Sequence, residues 1–229
     1  METRQQNILK AVIQEYNLRA QPVSSQILVR KYRFSFSPAT VRLEMMDLTD
    51  QDYLSQPHTS AGRVPTDKAY RFFVEELMKP QELPEADKKD LKKNFGQMRD
   101  KKASFNKRLA ELIAFQSHCL GINREEGISY EAGLNWLLQE PEFYEHESFV
   151  NLLDSFSRLE NLFAQFDDDF KIFIGEENLG RELRDCSLVV RVFESLDGEK
   201  NVLGVLGPRR MNYARNISLL DYVAKLLEN

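Results

Sequence analysis

The chain has 229 residues, of which 42% are hydrophobic and 29% charged, with a net charge of −5. That length allows one or two domains with real cores, and the composition excludes a wholly disordered chain. No apolar run approaches the ~18 residues of a membrane span. The polar start Met1–Arg4 opens no signal peptide, and Cys119 and Cys186 cannot frame a disulfide scaffold. A reducing cytosol is the expected compartment.

Charge is unevenly placed. Residues 1–80 carry 11 Lys and Arg against 9 Asp and Glu, and the remainder carries 20 against 27. Between Tyr16 and Leu43 stand five basic residues (Arg19, Arg30, Lys31, Arg33, Arg42) and no acid. Between Leu54 and Thr66 stands Arg63, again without an acid. A neutral-to-basic head on an acidic body is the asymmetry of a chain that meets a polyanion with one domain only.

In chain order, Ile8, Leu9, Val12, Ile13 and Tyr16 recur at helical spacing and predict a helix from about Arg4 to Leu18. Gln21-Pro22 ends it, and Val23–Tyr32 predicts a second, short helix. Ser37-Pro38 supplies an N-cap with proline in the first turn for a third. This one runs to about Gln51 and buries Val41, Met45 and Leu48. Three short helices with tight connections predict a helix-turn-helix unit. Tyr53–Pro57 and Val64-Pro65 are extended segments around a loop holding His58, Thr59, Ser60 and Arg63, the pattern of a β-hairpin wing. Thr66 caps a fourth helix with Tyr70, Phe73, Val74 and Leu77 along one stripe. The Pro-, Glu- and Lys-rich run after Lys79, with Pro80 and Pro84, marks a boundary: a domain over 1–79, a linker over 80–90 and a second domain over 91–229.

A long helix is predicted next, from about Lys88 to Leu120. Steps of four and three from Leu91 land on Phe95, Met98, Lys102, Phe105, Leu109, Leu112, Gln116 and Cys119, seven of these nine being apolar or cysteine. Such a seam suits a subunit interface, and equally a helix packed on its own domain. Tyr130–Gln139 and Phe149–Phe163 read as helices, Phe170–Ile174, Ser187–Phe193 and Asn201–Leu206 as strands, and Asn212–Leu227 as a closing helix. The expected fold class is therefore α+β.

An enzyme finds no support. There is no phosphate-binding glycine loop, no Gly-x-Ser-x-Gly and no His-Glu-x-x-His. His58, His118 and His146 stand apart from one another without metal-ligand spacing, so no cofactor or metal is expected. The third helix carries a mechanism instead. With Val41, Met45 and Leu48 turned inward, Ala39, Thr40, Arg42, Leu43 and Met46 line its outer face. Arg42 can grip guanine or hold a phosphate, the alternative being an ordinary solvated arginine. The Thr40 methyl, Ala39 and Leu43 can pack on thymine methyls. The Ser37-capped terminus offers free N–H groups to phosphate. Arg63 and His58, with Thr59 and Ser60, can reach an adjacent groove or the backbone. The candidate DNA-contacting residues are thus Ser37, Ala39, Thr40, Arg42, Leu43, His58, Thr59, Ser60 and Arg63.

Ser37-Pro38-Ala39-Thr40-Val41-Arg42, together with Gln56-Pro57-His58-Thr59-Ser60-Ala61-Gly62-Arg63-Val64-Pro65-Thr66-Asp67, is similar to the signature of the bacterial heat-inducible transcription repressor family, HrcA. Gly133–Phe143 resembles its central block, and Ile174–Asn178, Cys186–Val189 and Gly207–Tyr213 its C-terminal blocks. The resemblance implies a winged helix-turn-helix domain joined to a GAF-like effector domain. It implies a homodimer on an inverted-repeat operator of the CIRCE type, upstream of chaperone operons. It also implies support from a GroEL-type chaperonin, with repression relieved on stress when misfolded proteins occupy the chaperonin. Against the family's pattern, Leu43 stands where asparagine is usual and Asp52 where glycine precedes the wing tyrosine. Only about a dozen residues separate Leu120-Gly121 from Gly133, where the family carries effector strands and an inserted dimerisation domain. A shortened member is implied, with a reduced GAF-like α+β domain and the heptad-like helix as candidate dimer interface. The alternative reading is a chaperone-interacting or ligand-sensing module with vestigial DNA binding.

Overall fold

The structure, a computed structural model, describes residues 1–98, 102–125, 128–143, 170–178, 183–194 and 200–228. They divide into two compact units, Met1–Lys79 and Pro80–Asn229. In the first, helices α1 (Thr3–Arg19), α2 (Ser25–Tyr32) and α3 (Pro38–Asp50) begin where local chemistry dictates. The Ser24 and Ser37 side chains accept from the N–H groups of Ile27 and Thr40, satisfying donors that a helix start otherwise leaves unpaired. Ile8, Leu9, Val12, Ile13, Leu28, Val41, Met45 and Leu48 meet in the core, none more than 3% exposed.

Strands β1 (Leu54–Ser55) and β2 (Val64–Pro65) pair antiparallel. A second latch lies beside them: Val23 and Arg63 exchange backbone hydrogen bonds of 2.9 and 2.8 Å. The chain turns into β1 through Asp52 at φ +61°, a left-handed conformation that glycine adopts freely and aspartate tolerates better than most residues. Helix α4 (Asp67–Phe72), capped by Thr66, continues into a π-helical turn over Phe73–Leu77. The wider turn shifts the expected stripe, so Tyr70 is buried whereas Phe73, Val74 and Leu77 are half-buried.

The second unit is built on a five-stranded antiparallel sheet of β3 (Leu120–Glu125), β4 (Ile128–Ala132), β5 (Phe170–Ile174), β6 (Cys186–Glu194) and β7 (Lys200–Pro208), in the order β4-β3-β7-β6-β5. It corrects the sequence reading twice. The single helix expected over Lys88–Leu120 is a pair, α5 (Glu85–Met98) and α6 (Lys102–Ser117). The Phe95 and Phe105 rings meet edge-on with centroids 5.4 Å apart, whereas ten residues of one straight helix would separate them by about 15 Å. Leu91, Phe95, Leu109 and Leu112 are buried within the unit. These four seam positions therefore pack inside their own unit.

The second correction concerns the segment between Leu120 and Gly133. Expected to lack the family's effector strands because only about a dozen residues stand there, it forms the β3–β4 hairpin at one edge of the sheet. The helix expected over Tyr130–Gln139 shrinks to α7 (Leu134–Leu137), its first part being strand β4. Helix α8 (Tyr213–Leu227), capped by Asn212, closes the described chain. The helix expected over Phe149–Phe163 lies outside the described residues.

Helices α6 and α8 cover one face of the sheet. Gly121 allows the approach: a Cβ there would lie 2.4 Å from the Ala110 carbonyl oxygen. The Asn123 amide donates to Asn106 Oδ1 at 3.0 Å. The Tyr213 hydroxyl donates to the Arg209 carbonyl at 2.5 Å, which leaves the Ser187 hydroxyl to donate to it at 2.7 Å. On the other face Leu120, Ile122, Leu188, Val190, Val192, Val202 and Leu206 pack with Leu137, Phe143 and Leu183. With apolar partners on both sides, β6 and β7 are buried almost continuously rather than in alternation.

Candidate nucleic-acid interface

Helix α3 begins at the solvent. The exposed Ser37 hydroxyl accepts from the Thr40 N–H at 3.1 Å and pairs with the Thr40 hydroxyl at 3.0 Å. Ala39, Arg42, Leu43 and Met46 are exposed and Thr40 is half-buried, while Val41, Met45 and Leu48 face the core. At about 100° per residue, Ala39, Leu43 and Met46 fall within roughly 60° of arc, with Arg42 at its margin. The expected outer face is therefore a real, solvent-facing surface.

His58, Thr59 and Ser60 are exposed in the loop joining β1 to β2. Gln56 shapes that loop by donating to the Thr59 and Ala61 carbonyls, both at 2.9 Å. Arg63 is placed differently from these. It is half-buried, and its Nε donates to Thr49 Oγ1 at 3.0 Å. The Thr49 hydroxyl in turn donates to the Met45 carbonyl at 2.7 Å. Arg63 thus fastens the hairpin to α3.

Sequence reading did not foresee how much of the basic stretch is already engaged. Glu15 is fully buried, clasped by Arg19 at 2.5 Å and Lys31 at 2.6 Å, with the Tyr32 hydroxyl at 3.5 Å. Burial, and then the adjacent Glu15 charge, push the Tyr32 phenol above its ordinary range. Glu44, on the inner side of α3, is paired with Arg4. Arg4, Arg19 and Lys31, exposed themselves, are thus committed to carboxylates that the fold buries, and Arg30, Arg33 and Arg42 are exposed as well.

In the turn from α2 to α3, the rings of Tyr32, Phe34 and Phe36 stack at 6.2 and 5.6 Å, and the Arg4 guanidinium lies 6.0 Å from the Phe36 ring.

Among the described residues no group of three or more His, Cys, Asp or Glu is arranged to hold a metal ion. No helix among them is long and apolar enough to cross a membrane. Burial pushes the Cys119 thiol up to about 12 and raises Cys186 further, so neither is a thiolate nucleophile near neutral pH.

The family model described as HrcA protein C terminal domain matches residues 63–217. The heat-inducible transcription repressor HrcA of Natranaerobius thermophilus is 29% identical over 327 aligned positions, spanning 98% of this chain and 95% of that protein. That of Desulforamulus reducens is 25% identical over 333 positions, spanning 99% and 96%. Both alignments are longer than this chain's 229 residues, so these relatives carry residues it lacks. A crystal structure of a hypothetical protein at 2.2 Å resolution has a TM-score of 0.81 at 17% identity, covering 100% of this chain and 98% of that one. That is a likeness of fold alone. Matched over more than half its length by the family model, and along nearly all of it by the repressors, the chain belongs to the HrcA family.

Proposed function

We propose that the chain is a homodimeric transcriptional repressor of heat-shock chaperone operons. In this reading Met1–Lys79 is a winged helix-turn-helix domain. Helix α3 enters the major groove, and the β1–β2 loop is the wing on the adjacent backbone. Ser37, Ala39, Thr40, Arg42 and Leu43 make the groove and phosphate contacts, and His58, Thr59 and Ser60 those of the wing. Arg63 holds the wing in place and touches the backbone beside it. Residues 80–90, whose second half is the start of α5, join this head to a GAF-like effector domain formed by the sheet and its helices. Two heads related by a two-fold axis suit an inverted-repeat operator of the CIRCE type. A GroEL-type chaperonin supports the active form, and its occupation by misfolded proteins relieves repression. The protein acts in the cytoplasm, without a catalytic step or cofactor.

The observation that carries this reading is the outward half of α3, with a capped start and exposed Ala39, Arg42 and Leu43. It ends a stretch from Tyr16 to Leu43 that contains no acid. The positive end of the α3 dipole favours phosphate, and an exposed arginine beside it can bind guanine through two hydrogen bonds. The names of the relatives, heat-inducible transcription repressors, support the same role. The test is a reporter behind a chaperone promoter containing the inverted repeat, in a host without its own repressor. The wild type should repress it. Arg42→Ala, shown folded by circular dichroism, should release it through the loss of about 1–3 kcal/mol of base contact. Equal repression by both, or none by the wild type, contradicts the proposal.

A further inference from the structure

We propose that Leu43 and Met46 form an apolar ridge that reads the 5-methyl groups of thymine, so that each operator half-site carries thymine beside the base facing Arg42. The inference rests on the repressor reading and specifies what its recognition helix selects. Leu43 is 62% exposed and Met46 45% exposed. They stand three residues apart on one face of α3, with the small Ala39 a turn before Leu43. Neither takes part in the core, which α3 meets through Val41, Met45 and Leu48. A solvated helix face ordinarily carries polar side chains, so two adjacent large apolar ones imply a surface that they cover.

Charge decides what that surface is. Arg42 lies at the margin of the ridge, the Ser37-capped helix start lies below it, and no acid occurs from Tyr16 to Leu43. The positive end of the helix dipole adds to this field, and the whole suits a polyanion. The apolar group that a base pair presents in the major groove is the thymine 5-methyl; the other groups readable there are hydrogen-bond donors and acceptors. Leucine has no atom with which to read those, so selection beneath Leu43 is by methyl contact. The exposed acids Asp47 and Asp50 follow on the same helix, which confines the DNA-facing part to its first turns and makes Met46 its last member.

The test uses the full chain and a CIRCE inverted-repeat duplex, titrated by fluorescence anisotropy. Each thymine in turn is replaced by deoxyuridine, which removes the methyl and leaves the hydrogen-bonding edge unchanged. Wild-type affinity should fall about fourfold per contacted methyl. At that thymine the difference should vanish in Leu43→Ala or Met46→Ala, both substitutions at exposed helical positions where alanine is well accommodated. If the wild type binds the inverted repeat equally with thymine or deoxyuridine at every position, the ridge is overturned while the repressor reading stands. An equal loss in wild type and both variants overturns it too, because the methyl then acts through DNA shape. Failure to bind any inverted-repeat duplex overturns both readings.

Discussion

Alanine at Gly62 should unseat the hairpin. Its Cβ would lie 2.4 Å from the carbonyl oxygen, 2.5 Å from the carbonyl carbon and 2.8 Å from the nitrogen of Val23. All three are backbone atoms, so no side chain can swing aside. Admitting the methyl means opening the two hydrogen bonds between Val23 and Arg63, each contributing about 1 kcal/mol net. Val23, 1% exposed, would also lose part of the ~1.5–3 kcal/mol that burying such a side chain supplies. The first unit should therefore be destabilised by about 2–5 kcal/mol. At about 4–8 °C per kcal/mol for a unit of this size, its melting point falls by roughly 10 °C or more. Thermal denaturation of the full chain followed by circular dichroism reads this directly. Operator affinity should fall as well, because the loop of His58, Thr59 and Ser60 loses its anchor. A Gly62→Ala protein that melts and binds like the wild type would refute the close approach on which the argument stands.

Gly96 is the control: a Cβ there meets nothing within 4 Å on an exposed part of α5, so Gly96→Ala should stabilise the second unit by about 0.5–1 kcal/mol in urea denaturation. At Asp52, φ +61°, Asp52→Gly should be neutral or stabilising and Asp52→Val should cost about 1–2 kcal/mol, the penalty of a left-handed L-residue; equal urea midpoints for the two variants would contradict this. The buried thiols give a signed pH dependence. Burial holds Cys119 and Cys186 protonated to higher pH than the unfolded chain, whose thiols titrate near 9.0. Their contribution is complete below that pH and falls as pH rises, by about 1.4 kcal/mol per pH unit per thiol. Replacing both cysteines with alanine should remove this alkaline slope from urea midpoints measured between pH 8 and about 11, and an unchanged slope would contradict the assignment.

What was legible in the sequence was local. Ser37-Pro38 set the start of α3, because the cap hydroxyl and the proline act within one turn. The apolar spacing then separated Val41, Met45 and Leu48 from the outer face. The β1–β2 hairpin was legible from its turn residues for the same reason. The helix break was not legible, because no proline or glycine stands between Met98 and Lys102. A folded-back pair keeps the same residues apolar as one long helix does. Strands β3 and β4 escaped because Leu120–Ala132 is short and Tyr130–Gln139 straddles a strand and a helix, where periodicity cannot arbitrate. Pairings across the fold leave no local pattern either. Glu15 meets Lys31 sixteen residues on, and Arg63 bonds Thr49 fourteen residues back. The charge of Lys31 and Arg63 was therefore visible, but its commitment inside the fold was not.

The most direct test of the account is to titrate the purified chain against an inverted-repeat operator, a single half-site and a scrambled duplex, each at two salt concentrations. A dimeric repressor should bind the inverted repeat far more tightly than the half-site, and the half-site more tightly than the scrambled duplex. Affinity should fall with salt at a slope of about −0.9 for each phosphate neutralised. Weak binding, equal on all three duplexes, would mean that the head carries positive charge without sequence recognition, and would contradict the account.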